Sequence, residues 1–279
     1  MELEKKFLAD LLDDIEHNRL VLPILPEVAI KVRKVVENPD ASAAQISKVV
    51  AIDAALSARL IQVANSPLLR GRVVVDNLQS AVARLGNAMV RNLVTSFMVG
   101  QLYQGQSALV KARLQAVWQH STQVAAISHT LAAHFTDLKP DEAMLGGLTH
   151  DIGALPILTR AQKYPELLND EQALNRIVAT LHTQVGKAIL EAWSFPPELV
   201  AVAAEHENLE RNIDQPLDYA DVVLVANLQS YIGVNHPHAH EDWSAIPAFA
   251  KLGLSPEINV VSMEETAEDV KEVQRILTS

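Results

Sequence analysis

Five successive apolar stretches in the second half of this chain each place one polar residue, or one pair, on the stripe that should face a core. In WQHSTQVAAISHTLA, His120 shares a face with Val124, Ile127 and Leu131. In EAMLGGLTHDIG, Asp151 continues the row of Met144 and Leu148, and His150 the row of Ala143 and Gly147. His182 lines up with Val185, Gly186, Ile189 and Trp193, and His206 follows Leu199, Val202 and Ala203. Asn227 follows Tyr219, Val223 and Ala226. Steps of three and four are the helical period. Buried polar groups need partners. Five helices that each turn one inward satisfy this most simply by converging on a shared polar centre.

The rest of the chain also reads as helix, so the expected fold class is all-α, multi-helical, with an N-terminal helical lobe. PEVAIKVRKVVE (26–37) carries a valine stripe, and Ser42 with Gln45 has capping-box spacing. Asp53 is placed to cap the next helix, and Gly86 to end LQSAVARLG. RVVVD (72–76) is a short β-like run read as loop. The expected organisation is a lobe over 1–105, a helical core over 106–235, and a loop with a last helix over 236–279. That last helix should follow Ser255-Pro256, with Met263, Ala267, Val270, Val273 and Leu277 as its apolar face.

Composition narrows the function. Without cysteine there is neither a disulfide nor a thiolate metal site. A net charge of −11 argues against a nucleic-acid binder. No apolar run reaches the roughly 18 residues of a membrane span, and the charged start is no secretory signal. The expectation is a cytoplasmic protein. Lys48, Arg59, Arg70, Arg72, Arg84 and Arg91 face only Asp53 and Asp76 in a locally basic stretch. Its simplest reading is solvated helix faces, and its alternative is a surface for an acidic partner or anionic ligand. His129 and His134 read as surface residues, and His236, His238 and His240 as a solvated loop.

Neutral imidazoles beside a carboxylate suit a hard or borderline divalent ion. LPILPEVAIKV, QVANSPLLRG, LQSAVARLGNAMVRNLV, WQHS, GGLTHDIG and HTQVGKAILEAWSFPPELV together resemble the HDOD domain, a bacterial signalling relative of the HD-superfamily phosphohydrolases. The resemblance runs from about Leu22 to Gly233. It implies that His120, His150 and Asp151 are metal ligands, with His182, His206 and Asn227 completing a wider polar centre. Two departures accompany it. Glu207 stands where relatives that hydrolyse cyclic dinucleotides have a second histidine, and Asn227 stands where catalytic cores supply a final aspartate.

Asn227 offers a carbonyl oxygen without charge, so the resemblance implies at most one divalent ion, weakly held. Two readings follow. One is a regulatory module with a degenerate HD site, bound to a protein signalling partner or a small phosphorylated ligand. The other is a metal-dependent phosphohydrolase acting on a nucleotide or phosphoester.

Overall fold

A computed structural model describes every residue except 1, 18, 39, 70, 72, 105–107, 235 and 279. Among the described residues there are helices and turns and no strand, as the periodicity predicts. The N-terminal helices are α1 (Glu2–Glu16), α2 (Glu27–Val36), α3 (Ala43–Val50), α4 (Ala54–Ala64), α5 (Leu78–Leu85) and α6 (Asn87–Leu102). The central ones are α7 (Ala108–Phe135), α8 (Pro140–Thr149), α9 (Ala154–Ala161), α10 (Pro165–Asn169) and α11 (Glu171–Ala192). Then come α12 (Pro197–Glu205), α13 (Tyr219–Ser230), α14 (Pro247–Leu252) and α15 (Ala267–Thr278).

The local signals act as their chemistry dictates. Gln45 N–H donates to the Ser42 hydroxyl, and Ser42 N–H donates to the Gln45 side chain at 2.8 Å, closing the capping box. Asp53 accepts from Leu56 N–H at 2.9 Å. Gly86 ends α5 at φ 79°, in the left-handed region glycine tolerates. Residues 73–76 form no strand; Val75 N–H donates to the Asn65 side chain at 2.8 Å.

The long helix α7 is the axis of the molecule, with α8, α13 and α15 packed along it. Gly147 lets α8 approach: a Cβ there would lie 2.8 Å from the Ala125 Cα of α7. The helices before α7 join the same apolar core, α6 resting on α8 and α2 on α6. A buried polar link ties this contact, the Asn92 amide donating to Asp141 at 2.7 Å.

Three expectations are corrected. The last helix starts at Ala267, and Met263 lies in the turns before it. His129 is buried, because α15 covers the face of α7 that a local stripe would leave to solvent. His134 is exposed as read, and bonds Asp269 of α15 at 2.8 Å. The 236–240 segment is not simply solvated: His236 is half-buried and stacks on Tyr231 at 3.6 Å between ring centroids.

Three cations of the basic stretch, Arg59, Arg84 and Arg91, have internal work. Arg59 lies 3.7 Å over the Phe97 ring and donates to the Ile276 and Leu277 carbonyls at the end of α15. Arg84 donates to the Ala64 and Val73 carbonyls, and Arg91 meets Glu142 at 3.4 Å. Lys48 is exposed. Arg70 and Arg72 lie outside the described residues.

His129 carries a testable consequence. Burial pushes its imidazole down to about 4, against an opposing pull from Asp269, and its Nδ1 has no protein partner. Unfolded, the ring titrates near 6.5. Between these values the unfolded chain binds more protons than the folded one. Stability is therefore complete above about pH 6.5 and falls as the pH drops toward 4, by roughly 3 kcal/mol from this group. His129→Leu should flatten that acid-side decline in the urea midpoint. An unchanged slope would refute the assignment.

Candidate metal centre

The predicted residues arrive on five different helical elements. His120 lies in the middle of α7 and His182 in the middle of α11. His150 and His206 are the C-cap residues of α8 and α12. Asp151 follows in the turn between α8 and α9, and Asn227 comes from α13. The doublet thus sits at a helix end, where the chain turns before α9.

Asp151 is the hub. Its Oδ2 lies 3.4 Å from His150 Nε2 and 3.8 Å from His120 Nε2. Its Oδ1 lies 3.5 Å from His182 Nε2 and 3.4 Å from His206 Nε2. Two sets of three result, His120–His150–Asp151 and Asp151–His182–His206, with the ligand atoms of each within 4.8 Å of one another. Either can hold a metal ion, and the carboxylate is common to both. The Nε2 atoms of His120 and His150 are 3.2 Å apart, as are those of His182 and His206.

The far side of each ring sets its protonation. Nδ1 of His150, His182 and His206 lies 2.6, 2.9 and 3.1 Å from the carbonyl oxygens of Gly147, Val178 and Val202. A carbonyl only accepts, so Nδ1–H must donate. In the neutral ring the lone pair is then on Nε2, aimed at the centre. This outer hydrogen bond is the arrangement that fixes a metal-ligating tautomer.

Burial shapes the charges. It pushes His150 down to about 3 and lowers His120 as well. Burial would raise Asp151, but the imidazoles around it, His150 foremost, hold it well below the usual carboxylate range. His206 is the reverse: burial would lower it, yet its contact with Asp151 raises it. A cation arriving at the centre therefore competes with a proton for His206 Nε2.

Asn227 is buried, its side chain lies beside His120 and Tyr231, and its side-chain oxygen makes no hydrogen bond. An orphaned acceptor beside the His120 imidazole, itself one of the ligand set, fits a cation. Glu207, in the sequence only a departure from the family pattern, brings Oε2 to 3.6 Å from His182 Nε2, so a second carboxylate borders the centre. Tyr231 stacks on His120 at 5.4 Å, with His236 behind it, and nothing in the sequence marks either. Their place depends on how the segment after α13 folds back.

The centre is not sealed. His120 and Asp151 each leave 21% of their side chains exposed. Asp151, His182, Glu207 and His236 line one end of a cleft of about 660 Å³.

A helical bundle around a His/His-Asp centre defines an HD-type protein, and the comparisons narrow the class. The family model of the HDOD domain matches residues 22–209. A solved structure from Shewanella amazonensis, provisionally named a metal-dependent phosphohydrolase, is 31% identical. The likeness covers 99% of this chain and 100% of that one, with a TM-score of 0.87. An HDOD domain protein of unknown function from Geobacter sulfurreducens is 21% identical over 99% of this chain and 97% of that one, with a TM-score of 0.67. An uncharacterized protein of Treponema pallidum (strain Nichols) is 25% identical over 79% of this chain, which spans only 43% of that relative's length. The chain belongs to the HDOD domain family. Among the described residues no helix is long and apolar enough to cross a membrane.

Proposed function

We propose that this HDOD protein acts in signalling by holding divalent metal at the Asp151 centre and taking a small phosphorylated ligand in the adjoining cleft. The observation that carries this reading is the convergence on Asp151 of four imidazole Nε2 atoms, three with their outer nitrogens committed as donors to carbonyls. Such an ion supplies Lewis acidity and positive charge to a phosphoryl group. The chain's own residues orient the ring nitrogens, keep Asp151 ionised, and leave one side open to the cleft. Asn227 supplies an oxygen without charge, which favours weak ion binding and slow turnover.

A second reading, hydrolysis of a phosphoester, is favoured by the exposure of Asp151 to the cleft and by Glu207 as a second carboxylate. The experiment compares Mn²⁺ affinity and hydrolysis of bis(4-nitrophenyl) phosphate in wild type and Asn227→Asp. The signalling reading expects about tenfold tighter Mn²⁺ in the variant, because the orphaned acceptor gains a charge, and negligible turnover by the wild type. Robust metal-dependent turnover by the wild type would promote the hydrolase reading. Unchanged or weaker Mn²⁺ affinity in Asn227→Asp would remove Asn227 from the centre.

A further inference from the structure

Beyond the metal centre, the cleft has a second charged end. Arg113 lies seven residues before His120 on α7, and Asn175 lies seven residues before His182 on α11. Seven residues are close to two turns, so each pair shares a helix face about 10 Å apart along the axis. The far ends are clasped: Arg113 Nη1 donates to Asn175 Oδ1 at 3.1 Å. The two helices therefore run parallel as walls of one trench. Between the ends the lining is uncharged, with Ala116 and Val117 on one wall, Val178 and Ala179 on the other, and Leu158 between. Arg176 flanks the far end.

In an acidic protein these guanidiniums facing a cleft need an explanation. Their charged partners are carboxylates. Glu171 approaches Arg113 at only 3.7 Å and is itself 77% exposed. A loose exposed pair of this kind contributes little. Glu4 of α1 holds Arg176 with two bonds, at 2.8 and 2.9 Å. An incoming phosphate or phosphonate could accept the bidentate fork of Arg113 and the amide of Asn175.

We propose that Arg113 and Asn175, flanked by Arg176, form a second anion subsite, and that the ligand is a doubly anionic phosphoester. One anionic group sits at the metal centre and the other about 10 Å away, joined by an apolar or planar spacer. This rests on the reading of the centre as a phosphoester site.

The test is calorimetric titration of the Mn²⁺-loaded protein with butylphosphonate and with a series of α,ω-alkane bisphosphonates of increasing length. Butylphosphonate should bind weakly. Bisphosphonate affinity should rise to a maximum where the extended phosphorus–phosphorus distance reaches about 10 Å, with a gain of about tenfold. Arg113→Gln should erase that gain and leave butylphosphonate binding unchanged, and Arg113→Lys should keep part of it. Butylphosphonate binding without any length-dependent gain, or a gain that survives Arg113→Gln, overturns the subsite while leaving the centre's reading intact. If neither ligand binds the loaded protein, the phosphoester reading fails and the subsite falls with it.

Discussion

Asp151→Asn will abolish the thermal stabilisation that Mn²⁺ gives the wild type, while leaving the metal-free protein folded. Each carboxylate oxygen serves one of the two ligand sets, so a single substitution disables both. The amide that replaces the carboxylate has no charge to offer a divalent ion. Metal affinity should fall by at least about 100-fold, since even residues that merely orient ligands are worth 10- to 100-fold. Ligand-linked stabilisation grows with the logarithm of ligand concentration over Kd, so such a loss removes several degrees of shift at a fixed Mn²⁺ concentration. Folding survives for a local reason. The new amide can donate its N–H groups to the Nε2 lone pairs of His120 and His150, whose rings burial favours in the neutral form. The metal-free melting temperature should therefore change little. A Mn²⁺-induced shift of wild-type size in Asp151→Asn would remove Asp151 from the hub.

Gly153→Ala will cost more stability than the same methyl group added at Gly146 or Gly186, where a Cβ would come no closer than 3.4 Å to its neighbours. The backbone angles of Gly153, φ −66° and ψ −21°, suit any residue, so conformational strain is not the reason. Space is. A Cβ at this position would lie 2.0 Å from the His182 carbonyl oxygen and 2.5 Å from Gly186 N. Both are backbone atoms of α11, and no side chain can rotate away to make room. The start of α9 must separate from α11, opening contacts along both helices. The expected loss exceeds about 3 kcal/mol in urea unfolding. The displacement also moves His182, so Mn²⁺ binding should weaken in whatever fraction remains folded. A variant within about 1 kcal/mol of wild type would show that the α9–α11 contact yields more easily than its geometry indicates.

Asp151 is legible in the sequence, and the crowding at Gly153 is not. His120, the 150–151 doublet, His182, His206 and Asn227 stand out because helical periodicity is local, and a polar residue on an apolar stripe is visible without a fold. The caps at Ser42, Asp53 and Gly86 are legible for the same reason, since each acts within one turn. Glu207 is visible only as a departure, because it sits beside His206 rather than on the stripe. Its approach to His182 depends on how α12 meets α11. His236 reads as solvated loop because its neighbour in space, Tyr231, lies on the far side of a turn. His129 reads as surface because the helix that buries it, α15, is more than a hundred residues away in sequence. The Arg113–Asn175 clasp joins two helices whose register no single-helix pattern reveals.

The proposed function depends on divalent-metal binding between the inward Nε2 atoms and Asp151. Its most direct test is calorimetric titration of Mn²⁺ into protein purified without a histidine tag and stripped with chelator. The prediction is saturable binding of no more than two ions per chain, one for each ligand set, lost in Asp151→Asn. A flat wild-type titration, or binding that persists unchanged in the variant, would contradict it.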